Sequence, residues 1–152
     1  MKIVNGIDYI DEVRTLIIEY AKRLGRDLSF QNIDEELKDP KVKYTAPNGE
    51  LLTALGDERI VLGMVAYHRL DDEICEMKRL YVKPESRGMK LGEKLIDEIM
   101  FHAKNAGYKK MVLDTIEPLK SAIHLYKKAG FIECEPYYHN PMSDVIYFSK
   151  EL

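Results

Sequence analysis

The apolar positions of the chain change period several times, and each change marks an element. Residues 2–4 suit a short first strand. Ile10, Val13, Leu16, Ile17 and Tyr20 then recur at helical spacing, predicting a helix from Ile7 to about Leu24 that closes at Gly25. A connector follows, and then a second, short helix near Ile33–Leu37 that stops before Pro40. Lys41–Asn48 reads as a loop. Alternating stretches at Glu50–Leu55 and Arg59–Leu70 predict two strands joined at Gly56-Asp57-Glu58, and Asp71-Asp72 turns into a third over Glu73–Val82. Pro84 ends that strand, because proline cannot donate to a ladder.

Helical spacing returns at Leu91, Leu95, Ile96, Ile99, Met100 and Ala103, giving a helix to about Asn105 with Gly107 beyond it. Lys110–Thr115 is a short apolar run typical of a sheet interior. Pro118 to Ala129 carries proline near its start and Gly130 past its end, the usual helix asymmetry. Phe131–Glu133 and Asp144–Ser149 complete the chain as strands. An antiparallel meander, a β-α-β crossover, a helix and two last strands make a mixed α/β sheet with helices on its faces.

Composition narrows the class. The 152 residues fit one domain, and 45% hydrophobic with 32% charged residues is globular. A net charge of -3 argues against a general nucleic-acid binder. Cys75 and Cys134 form no metal framework and suit small buried side chains in a reducing compartment; His68 and His102 show no metal-ligand spacing. The start Met1-Lys2-Ile3-Val4-Asn5 resembles no leader, no apolar run approaches a membrane span, and a cytoplasmic location is expected.

Candidate chemistry begins between the third strand and the long helix. Arg87-Gly88-Met89-Lys90-Leu91-Gly92 places cations and two glycines at a helix N-terminus, where free N–H groups and the positive end of the dipole favour a phosphate. The stretch is neither a Walker loop nor a dinucleotide-binding Gly-x-Gly-x-x-Gly. Taken alone, it also fits an ordinary strand–turn–helix with solvated cations.

Three pieces in order carry a family resemblance. The first is Leu80-Tyr81-Val82-x-Pro followed by Arg87 to Gly92. The second is the spacing from there to the strand ending Leu113-Asp114-Thr115. The third is Ala122-Ile123-His124-Leu125-Tyr126-Lys127-Lys128-Ala129-Gly130-Phe131. Together they resemble the GCN5-related N-acetyltransferase (GNAT) superfamily across nearly the whole chain. The resemblance implies a GNAT fold with a mostly antiparallel sheet whose fourth and fifth strands splay, and acetyl-CoA as co-substrate. The first piece looks like the family's Arg/Gln-x-x-Gly-x-Gly/Ala coenzyme loop, and the third like its Ala-x-x-Leu-Tyr-x-x-x-Gly-Phe signature. Lys90 departs from the family's middle glycine, and Leu119 stands where many members have asparagine.

By that resemblance the coenzyme contacts are Leu80, Tyr81, Val82, Arg87, Gly88, Met89, Lys90, Leu91, Gly92, Thr115 and Tyr126, and no metal is expected. Acetyl transfer to an amine requires an ammonium of pKa about 10.4 to lose a proton and a thiolate near about 8.5 to gain one. Tyr126 matches the family's acid near the sulfur and is the acid candidate, the alternative being a core tyrosine that anchors the helix. Glu76, six residues before Val82, matches the catalytic glutamate of histone-acetylating members, or is a solvated strand carboxylate. Phe30 and Gln31, with the acids Asp27 and Asp34–Glu36, fall in the segment that usually walls the acceptor site. Tyr137, Tyr138 and His139 lie in the last loop, with His139 a second base candidate. His124, two residues from Tyr126, falls on another helix face. The acceptor implied is a small-molecule amine, with a protein amine as alternative; the fold often dimerises. The rival reading is a non-catalytic acyl-CoA-binding or regulatory module.

Overall fold

The computed structural model describes residues 1–152 and contains one seven-stranded sheet. The strands are β1 (Lys2–Asn5), β2 (Gly49–Leu55), β3 (Val61–Arg69), β4 (Ile74–Val82), β5 (Lys110–Ile116), β6 (Ile132–Glu133) and β7 (Val145–Glu151). Their order across the sheet is β1-β2-β3-β4-β5-β7-β6. Only β4 and β5 run parallel, as their helical crossover requires. The helices are α1 (Ile10–Leu24), α2 (Ile33–Lys38), α3 (Pro40–Lys43), α4 (Leu91–Asn105) and α5 (Lys120–Lys128). No helix is long and apolar enough to cross a membrane.

The two faces of the sheet carry separate cores. On one face Leu91, Leu95, Ile96 and Ile99 of α4 bury against Leu52, Val65, Met77 and Phe148, joined by Tyr126 of α5. On the other, Val13, Leu16 and Ile17 of α1 bury against Leu51, Met64 and Ala66. Each such side chain contributes about 1.5–3 kcal/mol by leaving water. The 3.6-residue period of α1 and α4 and the two-residue period of the strands therefore decide which face each helix covers.

Three local differences from the sequence reading have simple causes. Residues Gly6–Tyr9 form a 3₁₀ turn capped by Asn5, so α1 begins at Ile10 rather than Ile7. The expected loop at 41–48 begins as helix, because Asp39 caps the Lys41 N–H at 3.1 Å and Pro40 occupies the first helical position. Helix α5 starts at Lys120, two residues after Pro118.

Two irregularities shape the centre. The β4–β5 ladder contains only Ile74 with Lys110, Cys75 with Met111 and Glu76 with Val112, after which the strands part. Within β4 the register to β3 shifts, with Ala66 opposite Lys78 but Met64 opposite Tyr81, and Arg79 takes φ +61. This bulge resets the alternation: Met77 joins the α4 core, whereas Tyr81, four residues on, joins the α1 core.

Candidate active site

Where β4 and β5 part, a cleft open to solvent runs between them. One wall is Met77, Lys78, Arg79 and Leu80 of β4, and the other is Leu113, Asp114, Thr115 and Ile116 of β5. Tyr126, Ala122 and Leu119 close it on the α5 side; Tyr20, Leu24, Leu28, Gln31, Asn140 and Met142 close it on the α1 side. A central sheet opened in this way is uncommon, since it forgoes ladder bonds in the interior. Beyond Glu76 the β5-facing edge of β4 has no strand partner.

Tyr126 packs its ring on Phe131 and Phe148, with centroids 6.1 and 6.3 Å away. It is thus a core tyrosine and a cleft residue at once. Its hydroxyl bonds to nothing in the chain, and burial pushes its pKa well above the usual phenol value, so it stays protonated.

Beyond the end of β4, the turn into α4 presents a row of free donors. From Gly88 to Glu93 no backbone N–H donates to a backbone acceptor, and the helical ladder starts with Lys94 N–H to the Lys90 carbonyl at 3.1 Å. Gly88 has φ +89 with open space where a Cβ would stand. Lys90 is also left-handed, at φ +59, which explains why a glycine is expected there. Gly92 has a different reason: a Cβ would lie 2.9 Å from Leu125 Cδ1 of α5, so this glycine permits helix packing. Leu119 caps α5 without any side-chain hydrogen bond.

The residues expected on the acceptor side are divided. Gln31 lines the cleft, but Phe30 packs into the α1 core instead. Tyr137 donates to Glu76 Oε2 and Tyr138 to Asp114 Oδ2, so both stand behind the cleft wall. His139 is exposed and does not line the cleft. Glu36 is no free acid for an amine: Arg79 Nε and Nη2 donate to it at 2.7 and 3.1 Å, and Lys43 lies at 3.4 Å.

Glu76 is buried, and His68 Nε2 donates to its Oε1 at 2.6 Å while Tyr137 holds the other oxygen. Burial alone would raise its pKa, but these bonds and the Lys78 charge outweigh it and hold the carboxyl at about 2. A carboxylate held so low is a weak proton acceptor, and Glu76 is not among the residues lining the cleft.

Sequence reasoning passed over Lys78, Asp114 and Asn140. Asn140 Nδ2 donates to Asp114 Oδ2 at 2.8 Å, fixing a carboxylate in the cleft wall. The signal was an acid inside an otherwise apolar strand, where a charge needs a partner or a purpose.

A sheet split between a parallel pair, a donor-rich turn beyond the end of β4 and a buried tyrosine lining the gap define an acyl-transfer fold. Comparisons agree. The acetyltransferase (GNAT) family model matches residues 12–131, and the chain belongs to that family. An uncharacterized N-acetyltransferase of Schizosaccharomyces pombe is 47% identical over 144 residues, covering 94% of this chain and 88% of the relative. The uncharacterized N-acetyltransferase YjgM of Escherichia coli is 39% identical over 121 residues, covering 78% and 71%. A GNAT-family acetyltransferase from Staphylococcus aureus superposes with a TM-score of 0.82 at 22% identity, over 99% of this chain and 98% of that one. One from Elizabethkingia anophelis with acetyl-CoA bound gives 0.62 at 26% identity, over 80% and 82%. The protein is an acyltransferase.

Proposed function

We propose that the protein transfers the acetyl group of acetyl-CoA to a small primary amine by direct attack in a ternary complex. The observation that carries this reading is Tyr126, a buried side chain in the lining of the cleft between β4 and β5 whose hydroxyl bonds to nothing in the chain. Acetyl-CoA, when bound, supplies the thioester carbonyl. Its acyl arm fits along Leu80, Tyr81 and Val82, whose strand edge is unpaired toward β5, with Thr115 opposite. Its pyrophosphate fits the turn from Arg87 through Gly88, Met89, Lys90 and Leu91 to Gly92, where free N–H groups and the helix dipole converge.

The amine enters from the α1 side and meets Asp114, which holds the ammonium until it gives one proton to the solvent at the open cleft. Nitrogen bonds to the carbonyl carbon, the carbon–sulfur bond breaks, Tyr126 gives its proton to the departing thiolate, and the second proton shed by the new amide nitrogen restores the phenol. Backbone N–H groups of β4 stabilise the charge developing on the carbonyl oxygen. Glu76 positions Tyr137 and His68 behind the wall.

The test is coenzyme A release from acetyl-CoA with a panel of amines. Tyr126→Phe is expected to lower kcat about a hundredfold or more while leaving acetyl-CoA affinity within about twofold. Equal turnover in the variant would remove the tyrosine from the chemistry. A protein amine as acceptor would show as turnover confined to peptides.

A further inference from the structure

Two cations are buried in this molecule, and their surroundings are unequal. Lys78 is 8% exposed and Arg79 is 4% exposed. Arg79 is neutralised by the two bonds to Glu36 and gives a third to Gln31 Oε1 at 3.0 Å. Lys78 forms no ion pair with any carboxylate of the chain. The acids closest to it are already engaged: Glu76 by His68 and Tyr137, and Asp114 Oδ2 by Tyr138 and Asn140. Arg79 and Lys43 stand near enough to oppose its charge.

The side chain of Lys78 is buried, and its ammonium, with no partner in the chain, is costly to keep unless something in the cleft meets it. Burial lowers Lys78 to about 8 against the pull of Glu76, so it is still mostly charged at neutral pH. It lines the same cleft as Gln31, whose carbonyl is taken by Arg79 and whose amide NH₂ is therefore free to donate. The opposite wall holds Asp114, whose Oδ1 has no partner in the chain. The remaining walls on the α1 side, Tyr20, Leu24, Leu28 and Met142, are largely apolar.

We propose that Lys78 and the Gln31 amide bind a carboxylate on the acceptor, so that the acceptor is an amino acid or close derivative with an apolar side chain, its ammonium facing Asp114. This rests on the acetyl-transfer reading above and adds the substrate class. A carboxylate fits better than a phosphate. The wall offers one point charge and one amide, with no free guanidinium fork and no helix N-terminus, so a dianion would stay half neutralised.

The experiment compares matched ligands with and without the carboxylate on wild type, Lys78→Met and Lys78→Arg. Phenylalanine and phenethylamine serve as acceptors, and N-acetylphenylalanine and N-acetylphenethylamine are titrated calorimetrically onto the enzyme with coenzyme A. Wild type is expected to prefer the carboxylate member of each pair by roughly tenfold or more, the scale of one charged contact. In Lys78→Met the preference should fall to near unity through KM, with acetyl-CoA affinity unchanged within about twofold. Lys78→Arg should retain part of it.

Equal handling of both members by wild type, or no binding of either, overturns the proposal. So does a kcat loss in Lys78→Met that is equal for both amines with KM unmoved, which would make Lys78 a proton carrier. Acetyl found on Lys78 by mass spectrometry after incubation with acetyl-CoA also overturns it. Carboxylate binding that depends on Lys78 without any acetyl transfer would end the amine-acetylation reading and leave this site standing.

Discussion

Single residues in this protein are held in states that ordinary surface groups do not reach. Glu76 is the clearest case, with a pKa of about 2 against 4.5 unperturbed. Its folded value is depressed, so its contribution to stability is present above about pH 4.5 and is lost as pH falls through about 2. The shift corresponds to about 3 kcal/mol. Urea titrations of wild type and Glu76→Gln should differ by about that much at pH 7 and converge toward pH 2; a constant gap would mean that the carboxylate is not ionised in the fold. Lys78 works in the opposite sense. Its depressed value of about 8 means that its burial costs stability below pH 8, and that the cost fades as pH rises toward 10.5. Lys78→Met is therefore expected to raise Tm at pH 6 and to match wild type near pH 10.

At the scale of elements, two backbone features decide the site. The turn into α4 keeps Lys90 left-handed, a conformation that costs a side-chain-bearing residue about 1 kcal/mol. Lys90→Gly should thus stabilise the protein by about 1 kcal/mol in chemical denaturation, and a loss of stability would contradict the described turn. The bulge at Arg79 turns its guanidinium onto Glu36, locking α2 to the central strand. Glu36→Gln leaves that cation uncompensated and should cost about 3–5 kcal/mol.

Both features were partly legible in the sequence. The phosphate-type turn could be read because glycines and a helical period are local signals, yet Gly92 proved to serve contact with Leu125, which no local pattern encodes. Glu36 read as one of the acids beside the acceptor site, since its partner Arg79 lies 43 positions away. The carboxylate of Asp114 was hidden for the same reason. Its role depends on Asn140 and Tyr138, brought to it by the antiparallel pairing of β5 with β7.

Over the whole molecule, hydrophobic periodicity sets two cores on two faces, and the sheet between them stays closed everywhere except beyond Glu76. This is why the order of strands and helices could be derived from the hydrophobic pattern, while the splaying of the fourth and fifth strands was implied only by the family resemblance and is borne out by the short ladder. Each β4 and β5 segment is an ordinary strand, and only the length of their shared ladder shows the opening. Arg26 bonds both oxygens of Asp144 at 2.9 Å, tying the α1–α2 connector to the start of β7 and fixing one rim of the cleft. The opening lies between β4 and β5 and the donor-rich turn follows β4 in the chain, and acetyl-CoA is proposed to bind both. Calorimetric titration of acetyl-CoA into wild type and Arg87→Ala decides whether it does. Wild type is expected to bind in the micromolar range, roughly −8 kcal/mol, with binding weakened tenfold or more in the variant. Absence of binding to the wild type, or equal binding by both, would contradict it.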